Sequence, residues 1–390
     1  MNIKKMTLFG LSFVQFASFA FIAPFIVLYY QTLGFDGAQI GLLTGLSPLI
    51  TLFAAPLWTG LADATLRHRL IMGIALLGSA LAIFAVSVFN IFVPVLILTL
   101  LYSVFNSPVA SFADSAVMAT LAEEKEMYGR IRVGGTIGFA LVAPLAGLVS
   151  EQYGLGGVLR IGAVLMLLTL IISQTLSYRQ AKATVPTPGS ARQLLTNPRW
   201  LPFILLAFAG GLGIAAANTF LLPHMETIGT PKSMLGWVLT FGTFSEIPVL
   251  FFGNYLLKWF KPTGLLFLTI FLTGVRLILF GVAYSFEFGM VLQIFNGITF
   301  PAMWVAGVAY ADENAPEGLG STVQGLFAAT VFGFGSAVGG LAGGPIMESL
   351  GGHNFYLIFG SVVLVIMVLA GLLQRFIPMK PQPVLEIKEA

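Results

Sequence analysis

Two acid–base constellations stand out in a chain that otherwise carries little charge. Glu246 in GTFSEIPVLFF goes with Arg276 in LTGVRLILFG, and Asp114 in SPVASFAD goes with Arg130 and Arg132 in YGRIRVGG. Glu246 and Arg276 lie near the middles of consecutive apolar blocks that run antiparallel if each crosses a bilayer. A carboxylate and a guanidinium are each costly at that depth, so their positions predict an ion pair, and charge inside a membrane marks a solute or proton path. Asp114 falls about two turns inside the fourth block and the arginines open the fifth, so acid and base are expected to meet near a block end. Asn106, Asn218, Gln293 and Asn296, with Gln15 and Ser107, add hydrogen-bonding groups inside blocks. Facing lipid leaves such groups unsatisfied, so they are candidates either for lining a solute cavity or for binding helices together.

The elements that must hold these side chains are membrane helices. Of 390 residues, 57% are hydrophobic and 9% are charged, against about 25% charged in a soluble domain. The mean hydropathy is +0.93. Such a chain cannot cover a water-facing surface. There is no cysteine, which excludes a disulfide framework, a thiol nucleophile and a Cys-based metal site. The histidines His68, His224 and His353 are scattered and no Walker-type loop exists, so no cofactor is expected and ATP-driven transport is disfavoured. The net charge of +3 sits between apolar blocks, where it sets topology, and nucleic acid is not an expected partner.

Apolar blocks fall near 7–32, 38–62, 70–89, 92–121, 130–150 and 157–178, then near 200–225, 233–257, 263–285, 288–311, 319–347 and 354–377. The first follows Lys4 and Lys5, is too long for a signal-peptide core and lacks a cleavage site, so it reads as a span. The expected fold is therefore an all-α integral membrane protein of twelve transmembrane helices in two pseudo-symmetric six-helix halves. The halves are residues 1–178 and 200–378, with a Pro- and Gly-containing linker at 179–199 and a tail at 379–390. An even number of spans puts both termini on one side, and 16 of the 19 basic residues fall there. Arg160 and Lys232 lie opposite and Arg276 lies within a span, so the termini are expected in the cytoplasm. Gly147, Glu151 and Gly154 match Gly344, Glu348 and Gly351 at an offset of 197. Glu126, Gly129 and Gly134 match Glu317, Gly320 and Gly325 at 191, and Ala113–Asp114 echoes Ala311–Asp312. Duplicated units place a solute site at the midplane between them, reached alternately from each side.

The loop GLADATLRHR, from Gly60 to Arg69, resembles the signature loop of the major facilitator superfamily, although Leu66 stands where a glycine is usual. The resemblance implies that Gly60, Asp63, Arg67 and Arg69 form a cytoplasmic gate. The corresponding stretch from Gly253 through Lys258 to Lys261 lacks the acid. YGRIRVGGTIGF closely resembles a segment of the lactose permease and phenylpropionate permease branch, whose members are proton symporters of oligosaccharides, nucleosides and aromatic acids. There an arginine binds substrate and an aromatic two turns later packs on it; the matching residues are Arg132 and Phe139. Glu246 and Arg276 match positions that contact substrate and serve proton transfer. Gln293, Asn296 and Thr299 stand where that branch has a lysine, a histidine and a proton-carrying glutamate. Since none of these three titrates, Glu246 is the first candidate proton carrier and Asp114 the second.

These readings converge on a secondary transporter, not an enzyme, in a prokaryotic inner membrane. It is expected to import a small polar or anionic organic solute as a monomer, with the proton gradient as driving force. The alternatives are proton-driven efflux of drugs or metabolites, which the partial antiporter signature at Pro144 and Gly147 favours, and a membrane solute sensor without flux.

Overall fold

The computed structural model describes residues 3–121, 124, 127–176, 197–316 and 319–376. Most of the expected linker, all of the expected tail, and Lys125, Glu126 and Glu317 lie outside the described residues. The described chain is helical throughout and contains ten stretches long and apolar enough to cross a membrane. In chain order the helices are α1 (Ile3–Ile22), α2 (Ile26–Thr32), α3 (Gly37–Thr65), α4 (His68–Val86), α5 (Phe92–Asn106), α6 (Val109–Leu121) and α7 (Tyr128–Ser173). They continue as α8 (Leu201–Ile214), α9 (Leu221–Thr227), α10 (Lys232–Gly281), α11 (Phe286–Leu292), α12 (Asn296–Asn314), α13 (Gly320–Ala328) and α14 (Ser336–Phe376).

Several crossings are broken rather than continuous, and the causes are local. Pro24 separates α1 from α2 and Pro108 separates α5 from α6, because proline removes a donor and clashes with the preceding turn. A π-helical turn at Ala215–Thr219 joins α8 to α9, and another at Ala329–Gly335 joins α13 to α14. A 3₁₀ turn at Gln293–Phe295 joins α11 to α12. Broken helices at membrane depth are tolerated where they face protein or a cavity.

Helices α7 and α14, at 46 and 41 residues, exceed the roughly 20 that span a bilayer. Each contains one glycine outside helical space, Gly154 (φ 71) and Gly351 (φ 78), and α10 breaks in the same way at Lys261 (φ 57). With Leu66 (φ 57), Gly34 and Gly229, these are the positive-φ residues among those described, and all fall into pairs. Gly34 with Gly229 and Leu66 with Lys261 stand 195 apart, and Gly154 with Gly351 stands 197 apart. The internal repetition read from glycine and glutamate spacing thus recurs in the backbone. Leu66 adopts the left-handed conformation that a glycine takes without strain, at a cost of roughly 1–2 kcal/mol for a residue with a Cβ.

The N-terminal and C-terminal parts of the chain meet most closely at one end. Gly37 of α3 lies on the backbone of Gly344 in α14, and a Cβ at Gly41 would stand 2.8 Å from the Leu341 carbonyl oxygen. A Cβ at Gly147 of α7 would stand 2.9 Å from the Ser233 carbonyl oxygen, and Gly236 of α10 lies on Ala143. Thr240 donates its hydroxyl to the Ala140 carbonyl at 2.8 Å. This is the end that carries the turns at Gly34, Gly154, Gly229 and Gly351.

A cavity between the two parts of the chain

A cavity of about 360 Å³ lies between the two parts of the chain. Phe16, Phe19, Ala23, Pro24, Thr136 and Phe139 line it from α1, the α1–α2 break and α7. The remainder comes from the π turn (Ala217, Asn218, Thr219), from α10 (Leu239, Gly242, Thr243, Glu246) and from the α11–α12 region (Gln293, Asn296, Phe300), with Leu221. Broken backbone therefore surrounds it at three places. Of the substrate-binding candidates, Phe139, Asn218, Glu246, Gln293 and Asn296 reach the cavity, while Arg132 and Asn106 do not line it. Asn106 ends α5 beside the Pro108 break.

The expected Glu246–Arg276 ion pair is replaced by a bridged arrangement. Asn296 donates its Nδ2 to the Glu246 carboxylate at 2.7 Å and accepts on Oδ1 from Arg276 Nη1 at 2.8 Å. Arg276, only 3% exposed, also donates to Thr299 Oγ1 at 3.1 Å and to Gln293 Oε1 at 2.7 Å. The cause is packing. Gly297 lies directly on the Ser245 backbone, and its N–H donates to Ser245 Oγ at 2.9 Å. Helix α12 thereby comes close enough to α10 for Asn296 to stand between acid and base. A buried guanidinium needs acceptors more than it needs contact with an anion, and neutral amide and hydroxyl oxygens serve its two terminal nitrogens without a second buried charge, while Nε is left without a partner. Asn296 uses both ends of its amide within the protein, so it holds Glu246 in place rather than offering itself to a solute.

Asp114 and Arg132 do meet, as the spacing predicts, at 3.7 Å, with both side chains 37% exposed. The Arg132 guanidinium lies 4.7 Å from the centroid of the Phe16 ring. Phe16 contacts Phe19 and Phe19 contacts Phe139, at centroid distances of 6.5 and 6.1 Å. A line of aromatics thus runs from Arg132 into the cavity, and the ring stacked on the arginine is Phe16, which the sequence reading missed. Among 35 phenylalanines, the signal available was the i, i+3 spacing of Phe16 and Phe19.

In the last turn of α3, Asp63 binds neither arginine. His68 Nε2 lies 2.8 Å from Asp63 Oδ1, Arg69 donates to the Leu176 carbonyl at 2.8 Å, and Arg67 and Gly60 are exposed. The gate candidates therefore all sit at one end of the first part of the chain, with His68 in the place expected for an arginine. His224 and His353, scattered in sequence, come together: their ring centroids are 5.2 Å apart, and each donates a ring N–H to a backbone carbonyl, of Phe280 and Gly281, at 3.0 Å.

A helical membrane bundle with a central cavity, a carboxylate on its wall and a buried cation behind it has the form of a membrane transporter. The sequence matches the profile of the MFS_1 like family over residues 6–358, and the chain belongs to that family of major facilitator transporters. It is 26% identical to the maltose permease of Geobacillus stearothermophilus over 90% of each chain. It is 23% identical to the probable 3-phenylpropionic acid transporter of Escherichia coli (strain K12), covering 90% of this chain and 93% of the relative. In fold it is similar to the nucleoside transporter NupG, with a TM-score of 0.87 at 20% identity over 95% of this chain and 99% of that one. The protein is a multi-pass membrane transporter of the major facilitator superfamily.

Proposed function

We propose that the protein is a secondary active transporter that imports a small, uncharged, hydroxyl-bearing organic solute together with protons. The observation that carries this is the composition of the cavity wall. Glu246 is the single ionisable residue among those that line it, and it stands among Phe16, Phe19, Phe139 and Phe300. A carboxylate accepts hydrogen bonds from hydroxyls and repels an anion, while aromatic faces cover an apolar ring. Arg276 is enclosed by its three acceptors and Arg132 is engaged with Asp114, so the wall offers no cation to a carboxylate solute. This narrows the expectation of a polar or anionic solute to a neutral one. The maltose permease and NupG, whose names specify sugar and nucleoside cargo, are consistent with that class.

The same reading takes α7, α10 and α14 as two crossings each, divided at Gly154, Lys261 and Gly351, which with the remaining stretches makes twelve. The paired turns 195 and 197 residues apart support two six-helix halves, residues 1–178 and 200–378, that rock about the cavity in alternating access. With both termini cytoplasmic in an inner membrane, the sealed end is the outer one. Glu246 is the proposed proton carrier, because Gln293, Asn296 and Thr299 cannot titrate, and Asp114 is the second candidate.

Proteoliposomes challenged with sugars, nucleosides and aromatic acids test this directly. External alkalinisation on adding a neutral sugar or nucleoside, lost in Glu246→Gln together with the pH dependence of uptake, is the expected result. Flux driven only by aromatic acids overturns the solute class; flux without proton movement overturns the coupling.

A further inference from the structure

We propose that Glu348 is the latch that holds the outer end of the molecule shut, by setting its carboxylate on the N-terminus of α3 from the opposite half. Glu348 Oε2 accepts a hydrogen bond from the Gly37 N–H at 2.7 Å, across 311 residues of sequence. Gly37 is the first residue of α3, whose opening N–H groups have no partner within the helix. Asp36 already serves Gln39 through a capping box, so the Gly37 N–H is left for an outside acceptor. The positive end of a 29-residue helix and a carboxylate attract one another in addition to the hydrogen bond. Glycine at 37 is what makes this contact possible, because a Cβ there would overlap Gly344 and stand 2.8 Å from the Glu348 side chain.

The duplicated position behaves differently. Glu348 and Glu151, 197 residues before it, are both exposed, but only Glu348 sits on a helix start from the opposite half, and Lys232 begins the helix that corresponds to α3. The Lys232 ammonium lies 3.8 Å from Glu226 instead. The α7–α10 contact is closed by backbone packing and the Thr240 hydroxyl. One interface therefore closes on neutral packing and the other carries a charge that must be released whenever the outer end opens. Glu348 also lines a second cavity of about 330 Å³ with Gln31, Thr227 and Met347, which gives the carboxylate somewhere to go once freed.

The inference rests on the alternating-access reading above, but its test needs no transported solute. Because the chain has no cysteine, Ala23→Cys on the cavity wall provides a unique thiol. Its reaction with an impermeant maleimide is followed from outside in intact cells and from the cytoplasmic side in inverted vesicles. Adding Glu348→Gln is expected to raise outside labelling about five- to thirty-fold, the population change that one or two kcal/mol produces, and to lower labelling from the inside. Glu151→Gln, added in the same way, is expected to change neither. Unchanged outside labelling with Glu348→Gln overturns the latch, as does an equal rise with Glu151→Gln. A rise on both sides reports general loosening and also overturns it. If labelling shifts as expected while no solute is moved, the latch stands and the transport reading falls.

Discussion

Asp114–Arg132 and Glu246–Arg276 begin as the same chemistry, an acid and an arginine on neighbouring helices, and end as different objects. At the part-exposed site the two groups face each other directly at 3.7 Å. At the buried site the guanidinium is held by Gln293, Asn296 and Thr299, and the acid is reached through Asn296. Depth makes the difference. Water can satisfy the spare donors of Arg132, so a loose direct contact suffices, and such a pair is worth about 0–1 kcal/mol. No water shell surrounds Arg276, and each unmet donor there costs on the order of 1–3 kcal/mol. Neutral acceptors therefore occupy the space that a carboxylate would take. Glu246 stands on the cavity wall, whereas Asp114 faces Arg132 away from it.

The sharpest break in this comparison comes from Arg276→Ala. It strands three acceptors and leaves the Glu246 charge without a counter-charge, so a stability loss of about 3–5 kcal/mol is expected, read as a lower thermal unfolding midpoint in detergent. Arg276→Lys should recover little of it, because one ammonium cannot reach all three acceptors in the geometry of the fork. A midpoint that hardly moves in Arg276→Ala means the buried network is not what sets this site apart. Asn296→Leu comes next. It cuts the bridge but keeps the volume, and a loss of about 1–3 kcal/mol is expected, accompanied by weaker solute affinity as Glu246 loses its anchor. Unchanged affinity in Asn296→Leu argues that Glu246 is positioned by something else. The smallest effect belongs to Asp114→Asn, expected to shift stability by less than about 1 kcal/mol. Equal destabilisation in Asp114→Asn and Arg276→Ala erases the contrast between the two sites. A transport loss above tenfold at constant stability, in contrast, assigns Asp114 a part in the cycle.

Much of this arrangement was legible in the chain. The apolar blocks announced membrane helices; eight of the twelve fall in spanning stretches of their own, while the blocks at 130–150 and 157–178, and those at 319–347 and 354–377, run together in two long ones. Glu246, Asn218, Gln293 and Phe139 were singled out because polar or matched residues at membrane depth have few places to go, and all reach the cavity. The sequence reading went astray over which groups touch. Phe16 under Arg132, Asn296 between Glu246 and Arg276, His68 on Asp63, and the meeting of His224 with His353 all involve residues on different helices, or a loop whose arginines turn away. No local periodicity encodes such contacts.

Hydropathy and breakers act over a single turn or block, so the membrane setting, the helices, their proline breaks and the repetition seen at Gly154 and Gly351 follow from the order of residues alone. Whether Arg276 would be answered by an anion or by amides depended on how close α12 could come to α10, and that distance was set by Gly297 lying on Ser245. Glu348 meeting the first N–H of α3 required the two ends of the chain to be folded against each other. Such contacts between distant helices are decided by packing geometry, where a single missing Cβ moves a whole helix and with it every side chain the helix presents.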